Sequence, residues 1–177
     1  MRAMTRLSGV VEDLGRIVVQ WAHVLSGVLW VGGGFYTILV QLPALAEMPM
    51  PARGPALAAI APRQVRYVMR VAEVTIATGI LQLFINPHNR EVLTFSTRWS
   101  IAIVTGALLA FIAYGLLRGP LRSTIARLLA TAPIAAGGDD AAGKQVVVLR
   151  RRIQRLGYAQ MALGALILAA MVTARFS

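Results

Sequence analysis

Four stretches of the chain, 17–46, 74–89, 99–117 and 156–174, carry no Asp, Glu, Lys or Arg and consist mostly of apolar side chains. A helix needs about 20 such residues to cross about 30 Å of hydrocarbon, so each stretch is close to the length of one span. The pattern predicts an all-α, integral membrane four-helix bundle. One transmembrane domain fills residues 1–177, with spans at about 17–42, 68–87, 99–117 and 155–174. Glu12 and Asp13 precede the first apolar run, which is longer than the roughly 7–15 apolar residues of a cleavable signal. The first span is therefore expected to be retained.

The segments between the runs read differently from one another. In "EMPMPARGPALAAIAPR", Pro49, Pro51, Pro55 and Pro62 predict extended or turned chain with at most a short helix at 56–60. In "LRSTIARLLATA", Leu121, Ile125, Leu128 and Leu129 form one stripe and Arg122 and Arg127 lie elsewhere. That spacing predicts a short amphipathic helix between the third and fourth spans, lying on the cytoplasmic leaflet. "PIAAGGDDAAG" reads as a flexible linker, and "KQVVVLRRRIQR" as a basic entry to the fourth span.

Charge sets the expected orientation. Arg53, Arg63, Arg66 and Arg70 precede or open the second span, and Arg118, Arg122, Arg127, Lys144, Arg150, Arg151, Arg152 and Arg155 lie between the third and fourth. The opposite side holds Arg2, Arg6, Arg16, Arg90, Arg98 and Arg175. The bias toward the first and third loops puts them in the cytoplasm and both termini outside, N-out and C-out. Composition agrees with a membrane protein: of 177 residues 57% are hydrophobic and 14% charged, with mean hydropathy +0.66. The net charge of +11 is then best read as topology signal and contact with anionic lipid on the cytoplasmic side, with no nucleic-acid partner.

The first span carries its own pattern. Residues three, four and seven apart share a helix face. From His23 that face passes through Ser26 and Gly27, Trp30, Gly33 and Gly34, then Thr37 and Gln41. Such a stripe should face protein or a cofactor, because lipid rewards neither hydrogen-bonding groups nor gaps. Two readings stay open. The glycines by themselves suit close helix packing, and beside an imidazole they also suit a flat ligand. Entering near residues 16–19, the helix places His23 roughly 6–10 Å deep at about 1.5 Å per residue.

With no cysteine in the chain, thiolate metal sites and covalent haem attachment are excluded. Haem b fits what remains: His23 for the iron, Gly27, Trp30, Gly33 and Gly34 for the pocket, and Arg98 with Arg90 for the propionates. His88, after the second span on the same expected side, is a candidate second metal ligand. Met48 and Met50 in "EMPMP" are soft donors of the kind that attract Cu(I). Glu73 shares a face with Arg70 and Arg66, which suits an ion pair or a proton-relay role. No nucleophile motif accompanies these residues, so chemistry would belong to a bound cofactor and the chain is not expected to be an enzyme by itself.

His23, six residues, Trp30, one residue, Gly32 and Gly33, then Phe35 and Tyr36, resembles the first helix of a superfamily of small bacterial membrane proteins. It includes the copper resistance protein D domain, the HemJ-type protoporphyrinogen oxidase and the membrane part of cytochrome-linked urate oxidase. Arg66 and Gly79 in the second span, Trp99 opening the third and the basic lead into the fourth follow the same order. The resemblance implies a bacterial inner (cytoplasmic) membrane location and a haem b ligand at His23, or copper uptake and tolerance as in the copper resistance members. The HemJ-type pattern has a lysine in the third helix and an Asn-Glu pair near the fourth, and this chain has neither. These departures argue against protoporphyrinogen oxidation and leave haem binding open.

Three functions follow as expectations. The first is a haem-b electron-transfer protein, alone or as a subunit of a larger respiratory or oxidase complex. The second is a copper-handling membrane protein. The third is a structural subunit without cofactor, in a homo-oligomer or with partner membrane subunits.

Overall fold

The structure, a computed structural model, describes residues 2–85, 92 and 94–176, with side chains described from residue 12 onward except at Met50. Helix α1 (Arg2–Tyr36) runs through a π-helical turn (Thr37–Gln41) into α2 (Leu42–Glu47). After a break at Met48 and Pro49 comes α3 (Met50–Ile85). Helix α4 (Arg98–Leu116) continues through a second π turn (Leu117–Leu121) into α5 (Arg122–Ala136), and α6 (Asp140–Arg175) completes the chain. Four helical rods, 12–47, 51–85, 98–136 and 140–175, are long and apolar enough to cross a membrane. The described residues contain no strand.

These rods are longer than the apolar runs. Each has 35 to 39 residues, or roughly 50–60 Å at about 1.5 Å per residue, well beyond the hydrocarbon thickness. The excess comes from two segments that read as loops. The proline-rich stretch is helical: Pro51 lies in the first turn of α3, where a missing N–H costs nothing, while Pro55 and Pro62 lie inside the helix. An interior proline costs about 3 kcal/mol, but the intervening alanines are the strongest helix formers, and Leu57 and Ala61 gain burial against the bundle.

The expected amphipathic helix is also placed differently. Residues 122–136 are helical, yet they continue the third rod and pack along the first half of α6, where Leu128 is buried with Val146 and Leu149. The stripe finds protein because the 140–155 stretch is itself helical and offers an apolar face. The linker shrinks to a turn at Gly137 and Gly138, whose φ of +93° favours glycine. Asp139 then caps α6 by accepting a hydrogen bond from the Ala142 backbone N–H at 2.9 Å.

In cross-section α1 packs on α3 and on α6, while α4 packs on α6 and on α3. Trp30, Ala72, Ala113 and Leu117 meet at the centre, flanked by Val68, Met69 and Ile167. The α1–α6 seam is tight at Gly157, where a Cβ would collide with Ile38. Apolar side chains such as Val18, Trp21, Leu25, Val28, Leu39 and Leu166 remain exposed on the outside of the rods. An apolar exterior of this extent is what a lipid-facing surface requires.

Candidate functional site

His23 projects from α1 onto the stretch 75–79 of α3. Its Nδ1 lies 2.9 Å from the Thr75 carbonyl oxygen. A carbonyl only accepts, so Nδ1 carries a proton, and in the neutral ring Nε2 keeps its lone pair. Thr78 Oγ1 stands 3.4 Å from the same nitrogen while donating to the carbonyls of Val74 and Thr75. Gly79 makes room for the ring: a Cβ there would stand 2.9 Å from His23 Cε1 and 3.3 Å from Nδ1. No described residue hydrogen-bonds Nε2. The imidazole is half-buried, anchored at one nitrogen and unengaged at the other.

The rest of the stripe divides in two. Toward His23 it is closed by α3, with Ser26 buried and bonded to the Ala22 carbonyl, and with Gly27 and Gly33 facing Thr75 and Val68. Trp30 is 4% exposed and belongs to the central core. Beyond Trp30 the stripe opens: Gly34, Thr37 and Gln41 line a cavity of about 300 Å³ to which all four rods contribute. Arg98 is exposed at the first residue of α4, whose N-terminus is closed by a reciprocal capping box between Thr97 and Ser100. His88 and Arg90 lie outside the described residues. Among the described residues no group of three or more His, Asp and Glu side chains is placed to hold a metal ion, and His23 is the histidine among them.

Glu73 is more than half of a local pair. Arg70 Nη1 lies 3.2 Å from its Oε2, Tyr114 OH donates to Oε1 at 3.0 Å, and Arg118 Nη1 reaches Oε1 at 3.7 Å and the Tyr114 hydroxyl at 3.2 Å. The carboxylate thus joins α3 to α4. Arg66, on the same face of α3, is exposed.

Sequence reasoning found His23 and its face but not its partners. Thr75, Thr78 and Gly79 recur at helical spacing on α3, a small polar stripe opposite the first that could have been paired with it. The cavity had no comparable signal, because its walls come from every rod. No protein-family model, no curated protein and no solved structure matches the chain.

Proposed function

We propose that the protein is a haem-b-binding integral membrane protein that passes electrons, with His23 as an axial ligand, alone or as a subunit of a larger respiratory or oxidase complex. The observation that carries this reading is the engagement of His23 Nδ1 by the Thr75 carbonyl with Nε2 left unbonded. An axial imidazole needs that division, since a carbonyl on Nδ1 sets the tautomer, orients the ring and raises the basicity of Nε2. The donor therefore fits the iron. Haem, when bound, supplies one-electron chemistry at a potential set by its ligands and surroundings. The chain's contribution is positional: Thr75 and Gly79 hold the ring, and Trp30 and Ala72 keep water from the bundle centre. Arg98 is the described cation proposed for the propionates.

The bundle is proposed to sit in the bacterial inner membrane with both termini outside. The turns at 48–49 and 137–139, and the arginines near them, then face the cytoplasm and its anionic lipid.

The test is the absorption spectrum of the purified protein, oxidised and dithionite-reduced, for wild type and His23→Ala produced with the same haem supply. A Soret band with sharp reduced bands, lost in the variant, is the expected result. A colourless wild type with haem available would overturn the reading. The packing of Gly27 on Thr75 and Gly33 on Val68 favours a second one, a cofactor-free subunit whose stripe serves helix association. Copper handling rests on the resemblance and on the soft donors Met48 and Met50 in the sequence.

A further inference from the structure

One cavity of the bundle lies away from His23. About 300 Å³ in volume, it is at the lower end of the range typical of small-molecule sites. On α1 and α2 its walls run from Gly34 to Ala46, roughly 18 Å along a helix axis at about 1.5 Å per residue. Most of its lining is apolar, and the third rod contributes hydrocarbon side chains from Leu117, Leu121, Ile125, Leu128 and Leu129. That length along the axis is what an extended hydrocarbon chain needs.

Charge is confined to one end. Arg53 and Arg150 line the cavity and no carboxylate does. Arg53 donates through Nη2 to the carbonyls of Ala46 and Met48, which places it beside the end of α2. Gly157 of α6 faces Ile38, and Arg150 lies two turns back along antiparallel α6, at the level of Leu45. The two guanidinium groups therefore share the end nearest the interhelical turns. Arg53 Nε is buried there with no hydrogen-bond partner. A buried N–H of a cation is costly to leave unmatched, and Arg150 makes no hydrogen bond or ion pair among the described residues.

We propose that this cavity binds a single-chain anionic amphiphile. Its carboxylate or phosphate head meets Arg53 and Arg150, and its hydrocarbon chain extends toward Gly34 and Gly157. An acceptor oxygen at the head would take the Arg53 Nε–H, a charge-assisted hydrogen bond of the strong class, and burial of the chain supplies the rest of the affinity. The head lies at the end proposed above to face the cytoplasm, where such a molecule would arrive with its charge in water. The site is independent of any haem at His23.

The experiment is equilibrium binding of a fluorescent long-chain fatty acid to the full chain in maltoside micelles, with empty micelles as background. The competitors are palmitate, hexadecyl phosphate, hexadecanol and hexadecyltrimethylammonium. Saturable binding is expected, displaced by palmitate and hexadecyl phosphate, whichever is tighter naming the head, and about tenfold less well by hexadecanol. Arg150→Gln is expected to weaken binding several-fold without loss of folded protein, since Arg150 has no structural bond to lose. Arg53→Lys keeps the charge but has no Nε–H, and should weaken it similarly. Ile125→Trp should fill the apolar wall and abolish binding. Equal competition by hexadecanol or by the cation, or unchanged binding in Ile125→Trp, would overturn the proposal.

Discussion

His23 Nδ1 and the carbonyl oxygen of Thr75 stand 2.9 Å apart across the α1–α3 seam, joining the imidazole to main chain, with the Thr78 hydroxyl 3.4 Å from the same nitrogen. A main-chain acceptor cannot be removed by substitution, so the contact is best tested through the space that permits it. Gly79→Ala places a Cβ 2.9 Å from His23 Cε1. The ring or the helix must shift, at a cost of about 1–3 kcal/mol. In a His23→Ala background the same change should be nearly free. Thermal unfolding of the four proteins of the cycle measures the coupling, and additive losses would show that the ring does not rest on Gly79.

Tyr114→Phe deletes the hydrogen bond to Glu73 Oε1 and leaves Arg118 without the hydroxyl it also reaches. The expected loss is about 1–2 kcal/mol. Glu73→Gln should cost a similar amount, and the double variant much less than the sum, because one network is broken once. Melting curves in a single detergent would decide it. Full additivity would mean that the carboxylate and the phenol act separately.

At the start of α4, Thr97 Oγ1 accepts from the Ser100 backbone N–H at 3.1 Å and Ser100 Oγ accepts from the Thr97 backbone N–H at 3.2 Å. Thr97→Ala should cost about 1 kcal/mol, whereas Thr97→Asp should be nearly neutral. Hydrogen exchange of the first turn of α4 should quicken in the alanine variant, with the rest of the rod unchanged.

Because the chain contains no cysteine, single substitutions report orientation directly. Lys144→Cys and Phe176→Cys are both at exposed positions on opposite ends of α6. A membrane-impermeant maleimide added to intact cells should label the second and spare the first. The reverse pattern would invert the proposed topology.

Periodicity and the absence of charge were enough to count the spans, and helical spacing was enough to align His23, Gly27, Trp30 and Gly33 on one face, since both depend only on the chain's own geometry. Helix boundaries were not legible in the same way. Pro55, Pro62 and the glycines after Ile134 are local breakers, and a local rule ends the helix at each. Burial of Leu57 and Ala61, and of Leu128 against Leu149, comes from contacts distant in sequence, and these carry the rods past Pro55 and Pro62 and bring 122–136 onto α6. The same distance in sequence hid the partners of the candidate residues. His23 could be singled out, but that α3 presents Thr75 and Gly79 to it depends on the register of two antiparallel helices. The place where the stripe opens into a cavity beside Arg53 and Arg150 depends on four.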